Sequence, residues 1–316
     1  MMNKKNKFLN LILGAPLVAF PIVAISCTNY KDLKLNKTYS IDIKDIDNVG
    51  TMFDRNIKYS EYNKITGEET EKTTTLWEYF SLVEGNIAKV SDGDTINIKV
   101  TKGSPNGIIK IGQLIKIRIP LIDTLEENTE DVTEREKNLA HLDSEYARSI
   151  LPIGSKVRLI SDDGWINKSY DRSVGYLFYG DGYKKNFSIS MLANGWTLPR
   201  FNERVLKSFM FEYNKKDKSL VSDYLLPFVA HAFNEGFINK KGFYNSNGVN
   251  IKLNGKKTNI KFKNPQALSK EYLSHGETLI LDGYRIMYPS YISRSYWNPK
   301  MNIYEFLKNN QQTKTK

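Results

Sequence analysis

Short apolar alternations, each closed by turn residues, constrain this chain more than any other feature of its sequence. Ile96, Ile98 and Val100 alternate with polar neighbours, as on a half-buried strand. Ile115, Ile117, Ile119 and Leu121 do the same, with Lys116 and Arg118 on the opposite face. Between these two runs, Lys102 to Gly107 (KGSPNG) is turn chemistry. Val157 to Ile160 reads as another strand, and Val174 to Tyr179 as an apolar run closed by a Gly180-Asp181-Gly182 hairpin turn. Helical patterns stand among them. Asp143 to Leu151 is a short one. Ser188 to Asn194 is a second, with Ser188 as N-cap and Gly195 as C-cap. A longer amphipathic helix is predicted from Leu220 to Gly236.

Five short strands with interposed helices suit a small OB-type barrel, and the class is α+β. The barrel unit is expected over residues 85–245, with extensions at both ends. Thr28 to Glu84 is polar and rich in Lys and Asp, and reads as a spacer with some structure of its own. Within it, Glu68 to Thr75 (EETEKTTT) reads as a solvated loop. Asp42 to Gly50 (DIKDIDNVG) has the look of a calcium loop, but Lys44 and Ile46 stand where oxygen ligands are needed, so it reads as surface. Residues 246–316 form a C-terminal extension. It has strand-like pieces at Ile251 to Leu253 and Thr278 to Leu281, and its aromatics include Tyr284, Tyr288, Tyr291, Tyr296 and Trp297. Such a cluster can stack on bases, but packing onto the barrel is the expected role. The tail NNQQTKTK is expected to be disordered.

The N-terminus has a different character. Lys4, Lys5 and Lys7 precede an apolar run from Phe8 to Ile25 that ends in Ala24-Ile25-Ser26-Cys27. This resembles a bacterial lipoprotein signal with its lipobox, residues 1–26 being removed and Cys27 becoming a lipidated N-terminus. Pro16 and Pro21 and the short length argue against a plain transmembrane helix. Acyl chains on Cys27 imply a cell-membrane location on the extracellular face. Cys27 is the single cysteine, so no internal disulfide can form. The three histidines, His141, His231 and His275, are far apart in sequence, which argues against zinc sites of the Cys/His type. The formal net charge is +11, or +8 without Lys4, Lys5 and Lys7, and favours polyanions such as nucleic acid or anionic lipid.

Three segments carry the chemistry: Ser91-Asp92-Gly93-Asp94-Thr95, Arg118-Ile119-Pro120-Leu121-Ile122-Asp123-Thr124-Leu125-Glu126, and Tyr170-Asp171-Arg172-Ser173-Val174-Gly175. Each alone is ordinary, a hairpin turn or a helix cap. Their order and spacing resemble the staphylococcal nuclease (thermonuclease) family. Ser188 to Trp196 (SISMLANGW) and Ala230 to Phe243 (AHAFNEGFINKKGF) extend the resemblance, which covers about Gly85 to Asn245, roughly half of the chain.

The resemblance implies a five-stranded OB-fold barrel of staphylococcal-nuclease type with flanking helices, and a nuclease that hydrolyses DNA or RNA with calcium, other divalent metals being possible. It assigns Asp94, Asp123 and the Thr124 carbonyl to the metal, and Glu126 to the attacking water. Arg118 and Arg172 are assigned to the scissile phosphate, and Tyr170 to the nucleotide phosphate. Phosphodiester hydrolysis asks an oxygen nucleophile to approach an anion, so a cation and two arginines lower the repulsion while a carboxylate readies the water. No protein partner is implied.

The chain departs from the family in two places. Leu125 stands where Pro is usual between the Thr and the Glu, and Asp171 stands where Gly usually precedes the second arginine. Asp171 could pair with Arg172 and weaken its grip. An ungapped pairing from Asp171 would put Val174 in the arginine's place, but Arg172 is preferred because Arg-Ser-Val-Gly leads directly into the strand. The segment before Arg118 and the segment from Arg200 to Ser219 are longer than in small family members. Competing functions are a nucleic-acid-binding OB module without catalysis and a surface lipoprotein that binds a host protein or a solute.

Overall fold

The structure, a computed structural model, describes residues 33–62, 65–127 and 132–312. The lipobox and Cys27 lie outside them. The segment expected to be a spacer is packed instead. Phe53, fully buried, sits in the 3-10 turn Val49–Asp54. Its ring lies 5.2 Å from Trp77, 5.3 Å from Phe178 and 5.5 Å from Tyr224. Lys218, buried, ties the same segment down: its Nζ donates to Thr38 Oγ1 at 3.2 Å and to the Lys215 carbonyl at 3.0 Å, over the Tyr39 ring. Gln311 Nε2 donates to the Lys34 carbonyl at 2.6 Å, so the two ends of the described chain meet.

The Glu68–Thr75 run expected to be a loop is a strand. β1 (Asn56–Tyr62) pairs antiparallel with β2 (Glu69–Thr75), and β2 leads into the short α1 (Leu76–Tyr79). β2 is exposed along most of its length. No apolar alternation marks it, although threonine favours the extended backbone.

The main sheet is built from β3 (Val83–Asp92), β4 (Thr95–Lys102), β5 (Leu114–Arg118), β7 (Lys156–Ile160), β8 (Lys168–Ser169), β9 (Arg172–Val174), β10 (Tyr176–Tyr179) and β11 (Lys185–Asn186), with β6 (Leu121–Asp123) outside it. Its eight strands run in the order β11-β10-β7-β3-β4-β5-β9-β8. β9 and β10 are separated by Gly175 alone. One extended segment therefore pairs with β5 on one side, in parallel, and with β7 on the other, antiparallel. This curls the sheet around a core of Ile96, Ile98, Ile117, Val157 and Leu177. A Cβ on Gly175 would fall 2.6 Å from the Trp165 ring, so the crossing point needs glycine.

α2 (Glu134–Ile150) starts nine residues before the expected Asp143, with Thr133 as its cap. α3 (Phe187–Ala193) is capped by Asn186, whose side chain accepts from Ile189 N. Ser188 donates instead to the Pro120 carbonyl. Gly195 follows at φ +69°, as the helix stop requires. β12 (Leu198–Arg200) pairs with β6 and precedes α4 (Glu203–Glu212) and α5 (Val221–Ile238).

Beyond these lie the hairpin β13 (Val249–Leu253) with β14 (Lys256–Ile260), then α6 (Pro265–Ser269), α7 (Gly276–Ile286) and α8 (Ile303–Gln312). Thr278 to Leu281, expected as a strand, belongs to α7. Its buried Leu279, Ile280, Gly283, Tyr284 and Ile286 follow helical spacing. Four residues of the tail expected to be disordered are helical in α8. The extension is joined to the sheet unit by specific bonds. Asn234 Nδ2 donates to the Ile286 carbonyl at 2.9 Å, the Phe201 amide donates to Asp282 at 3.0 Å, and Arg135 grips Glu271 through two nitrogens at 2.7 Å. Tyr284 stacks on Tyr296. Among the described residues, no helix is long and apolar enough to cross a membrane.

Three buried aspartates set a pH dependence. Burial pushes Asp162 and Asp282 up to about 6 and Asp223 up to about 7, from an ordinary value of about 4. Folding therefore favours their protonated forms. That stability is present below pH 4 and is lost as pH rises through 6 to 7. Thermal unfolding is expected to occur at a higher temperature at pH 5 than at pH 8, and Asp223→Asn should flatten the difference.

Candidate active site

The Asp-Gly-Asp turn joins β3 to β4 with Asp92 paired to Thr95. Thr95 in turn stands opposite Arg118 at the end of β5. After Arg118 the chain cannot continue the ladder: Pro120 lacks an amide hydrogen, and Leu121 adopts φ +70°. The chain re-enters as β6, which delivers Asp123 beside Asp94. Arg118 bridges the two acids, Nη1 to Asp94 and Nη2 to Asp123. Both carboxylates are buried, at 4% and 3% exposure. The Thr124 amide donates to Asp94 Oδ2 at 3.2 Å, fixing the Thr124 backbone next to the same acid. Burial lowers the Arg118 guanidinium pKa, opposed by Asp123, and burial likewise raises the Asp92 carboxyl.

Arg172 opens β9 on the same face as Val174, the parallel neighbour of Arg118. Its Nη1 donates to Thr95 Oγ1 at 2.9 Å. The adjacent Asp171 pairs with Lys116 at 3.3 Å rather than with Arg172. Tyr170, at φ +58° and 93% exposed, projects from a backbone conformation that bulky residues rarely take. Leu125 has an amide where proline would have none, and it donates to the fully buried Asp143 at 3.3 Å. That bond fixes the loop carrying Thr124 and Glu126 by other means than a proline ring.

A cleft of about 790 Å³ gathers these groups. Arg118, Asp123, Glu126, Tyr170 and Arg172 line it, while Asp94 lies behind Arg118. Seven of the eight predicted site residues therefore come together; the eighth, Cys27, lies outside the described residues. Two residues of the cleft escaped the sequence reading. Arg200 on β12 pairs with Asp123 Oδ2 at 3.2 Å, and His275 Nδ1 lies 3.1 Å from the same oxygen. Neither belongs to a local motif. The signal available was the register of β12 on β6, which sets Leu198 opposite Asp123, and that pairing is not visible in the sequence.

Among the described residues, no cluster of three or more His, Cys, Asp or Glu side chains could hold a metal ion. A cation here would have two carboxylates, Asp94 and Asp123, with backbone oxygen such as that of Thr124 and water completing its shell. All are hard oxygen donors, the type that calcium and magnesium take, so the residues fit such an ion.

No family model matches the chain. A stretch of 119 residues is 31% identical to the uncharacterised lipoprotein MG186 of Mycoplasma genitalium, covering 34% of this chain and 41% of that protein. The chain thus spans well under half the length of this relative.

Proposed function

We propose that the protein is a membrane-anchored, metal-dependent nuclease of the staphylococcal-nuclease type. The observation that carries the reading is the convergence on one cleft of Asp94, Arg118, Asp123, Glu126 and Arg172 from three separate segments. The curled eight-stranded sheet is compatible with a barrel of that type. The relative named as a lipoprotein supports an acylated Cys27 and attachment to the cell membrane; the extracellular face is part of the proposal.

On this reading the guanidinium forks of Arg118 and Arg172 hydrogen-bond the phosphate oxygens and offset the charge that grows as the phosphorus gains a fifth oxygen. Glu126, half-buried on the cleft wall, accepts a proton from the attacking water. Tyr170 flanks the nucleotide. A divalent cation at Asp94, Asp123 and the Thr124 carbonyl would supply further positive charge against the same phosphate.

The test is degradation of plasmid DNA and of RNA with calcium, magnesium or a chelator. Calcium-dependent cleavage that falls about 100-fold or more in Arg172→Ala supports both the reaction and the role of Arg172. Binding of nucleic acid without cleavage would make the chain a binding module instead. Neither binding nor cleavage would leave the surface-lipoprotein reading.

A further inference from the structure

We infer that Arg200 and His275 form a second phosphate subsite, which grips a polynucleotide at a phosphate next to the one held by Arg118 and Arg172. The inference rests on the nuclease reading for the identity of the polymer, but the residues that carry it are separate. Arg200 comes from β12 and His275 from the segment leading into α7, and both line the same cleft as Tyr170 and Arg172. Leu273 and Ser274 line the cleft beside His275. The C-terminal extension therefore contributes part of the cleft wall.

Charge argues for an anion at this wall. Three guanidinium groups, Arg118, Arg172 and Arg200, and two carboxylates, Asp123 and Glu126, line the cleft. Arg118 divides its guanidinium between Asp94 and Asp123 Oδ1. Arg200 and His275 share the remaining oxygen, and each keeps 37% of its side chain exposed. A guanidinium has five donors in a fixed fork and matches a phosphate in two places at once. At about 790 Å³ the cleft is toward the upper part of the roughly 300–1,000 Å³ range of small-molecule sites, which leaves room beyond a single phosphate.

The subsite predicts a preference for longer strands. The full-length chain in detergent, held in chelator so that no cleavage intervenes, is titrated with thymidine oligonucleotides of two and of eight residues over a range of salt. In Arg200→Gln the octamer-to-dimer affinity ratio should fall about tenfold, and the salt slope for the octamer should drop by about 0.7. Arg200→Lys should restore the slope, and His275→Gln should lower the ratio by a smaller factor. Matching circular dichroism and unfolding temperatures show that each variant is folded. An unchanged ratio and slope in Arg200→Gln, with a raised calcium requirement for cleavage, would overturn the subsite and reduce Arg200 to a positioning residue for Asp123. A fallen ratio in a protein that never cleaves would keep the subsite and sink the nuclease reading. No oligonucleotide binding by the unsubstituted protein would overturn both.

Discussion

Arg118→Ala is expected to destabilise the protein by about 3 kcal/mol and to abolish the proposed nuclease activity. The guanidinium is 17% exposed, and the Asp94 and Asp123 side chains it bridges are 6% and 5% exposed. Removing it leaves two buried carboxylates side by side. Arg200 and His275 remain for Asp123. Asp94 keeps only neutral donors among the described residues, the Thr95 hydroxyl and the Thr124 amide. An uncompensated buried charge costs more than the lost pair was worth. Urea denaturation at neutral pH measures the effect. Adding Asp94→Asn to Arg118→Ala should recover much of the lost stability, because the repulsion disappears with the charge, yet no activity should return. Equal midpoints for Arg118→Ala and the parent would mean that the bridge contributes nothing.

Gly93→Ala is expected to cost about 1–3 kcal/mol and about 100-fold in activity. A Cβ at this position would stand 2.5 Å from Thr124 Cγ2 and 2.7 Å from Asp143 Oδ1. Both neighbours are buried and held by the loop that carries Asp123. The β3–β4 turn would have to withdraw from that loop and take Asp94 with it. A displacement near 1 Å suffices for a loss of this size when the groups act as a unit. The companion variant Thr124→Ser removes Cγ2 and leaves the backbone carbonyl. Combined with Gly93→Ala, it should restore part of both losses, measured by unfolding temperature and by initial rates on plasmid DNA.

The local patterns of the sheet were legible because its strands bury one face and leave the other wet. Ile96, Ile98 and Val100 alternate for that reason and are all buried. β2 escaped notice for the converse reason: almost none of it is buried, so nothing in its composition separates it from a loop. α7 reads as a strand in sequence when the short run Thr278 to Leu281 is weighed without the Gly283, Tyr284 and Ile286 that complete its period. The N-terminal segment looks polar in sequence, yet Ile43, Val49 and Phe53 are fully buried. A few large side chains spaced along a polar stretch are enough to fix it. In the cleft, residues that belong to the three motifs of the resemblance are legible in the sequence, and those that arrive by tertiary pairing are not. Arg200 reaches Asp123 through a three-residue strand, and His275 reaches it from more than 150 residues away.

The meeting of Lys34 with Gln311 limits how a lipid-anchored copy of the protein could sit at a surface. Leu33, six Cα steps after Cys27, is already buried. Six steps span about 20 Å at full stretch, less than the thickness of a bilayer core of roughly 30 Å. On the lipoprotein reading, Leu33 and the neighbouring α8 are therefore held within that distance of an acylated Cys27. Lengthening the stretch between Cys27 and Leu33 then becomes a direct test of whether an anchor limits what a cell-bound copy can reach.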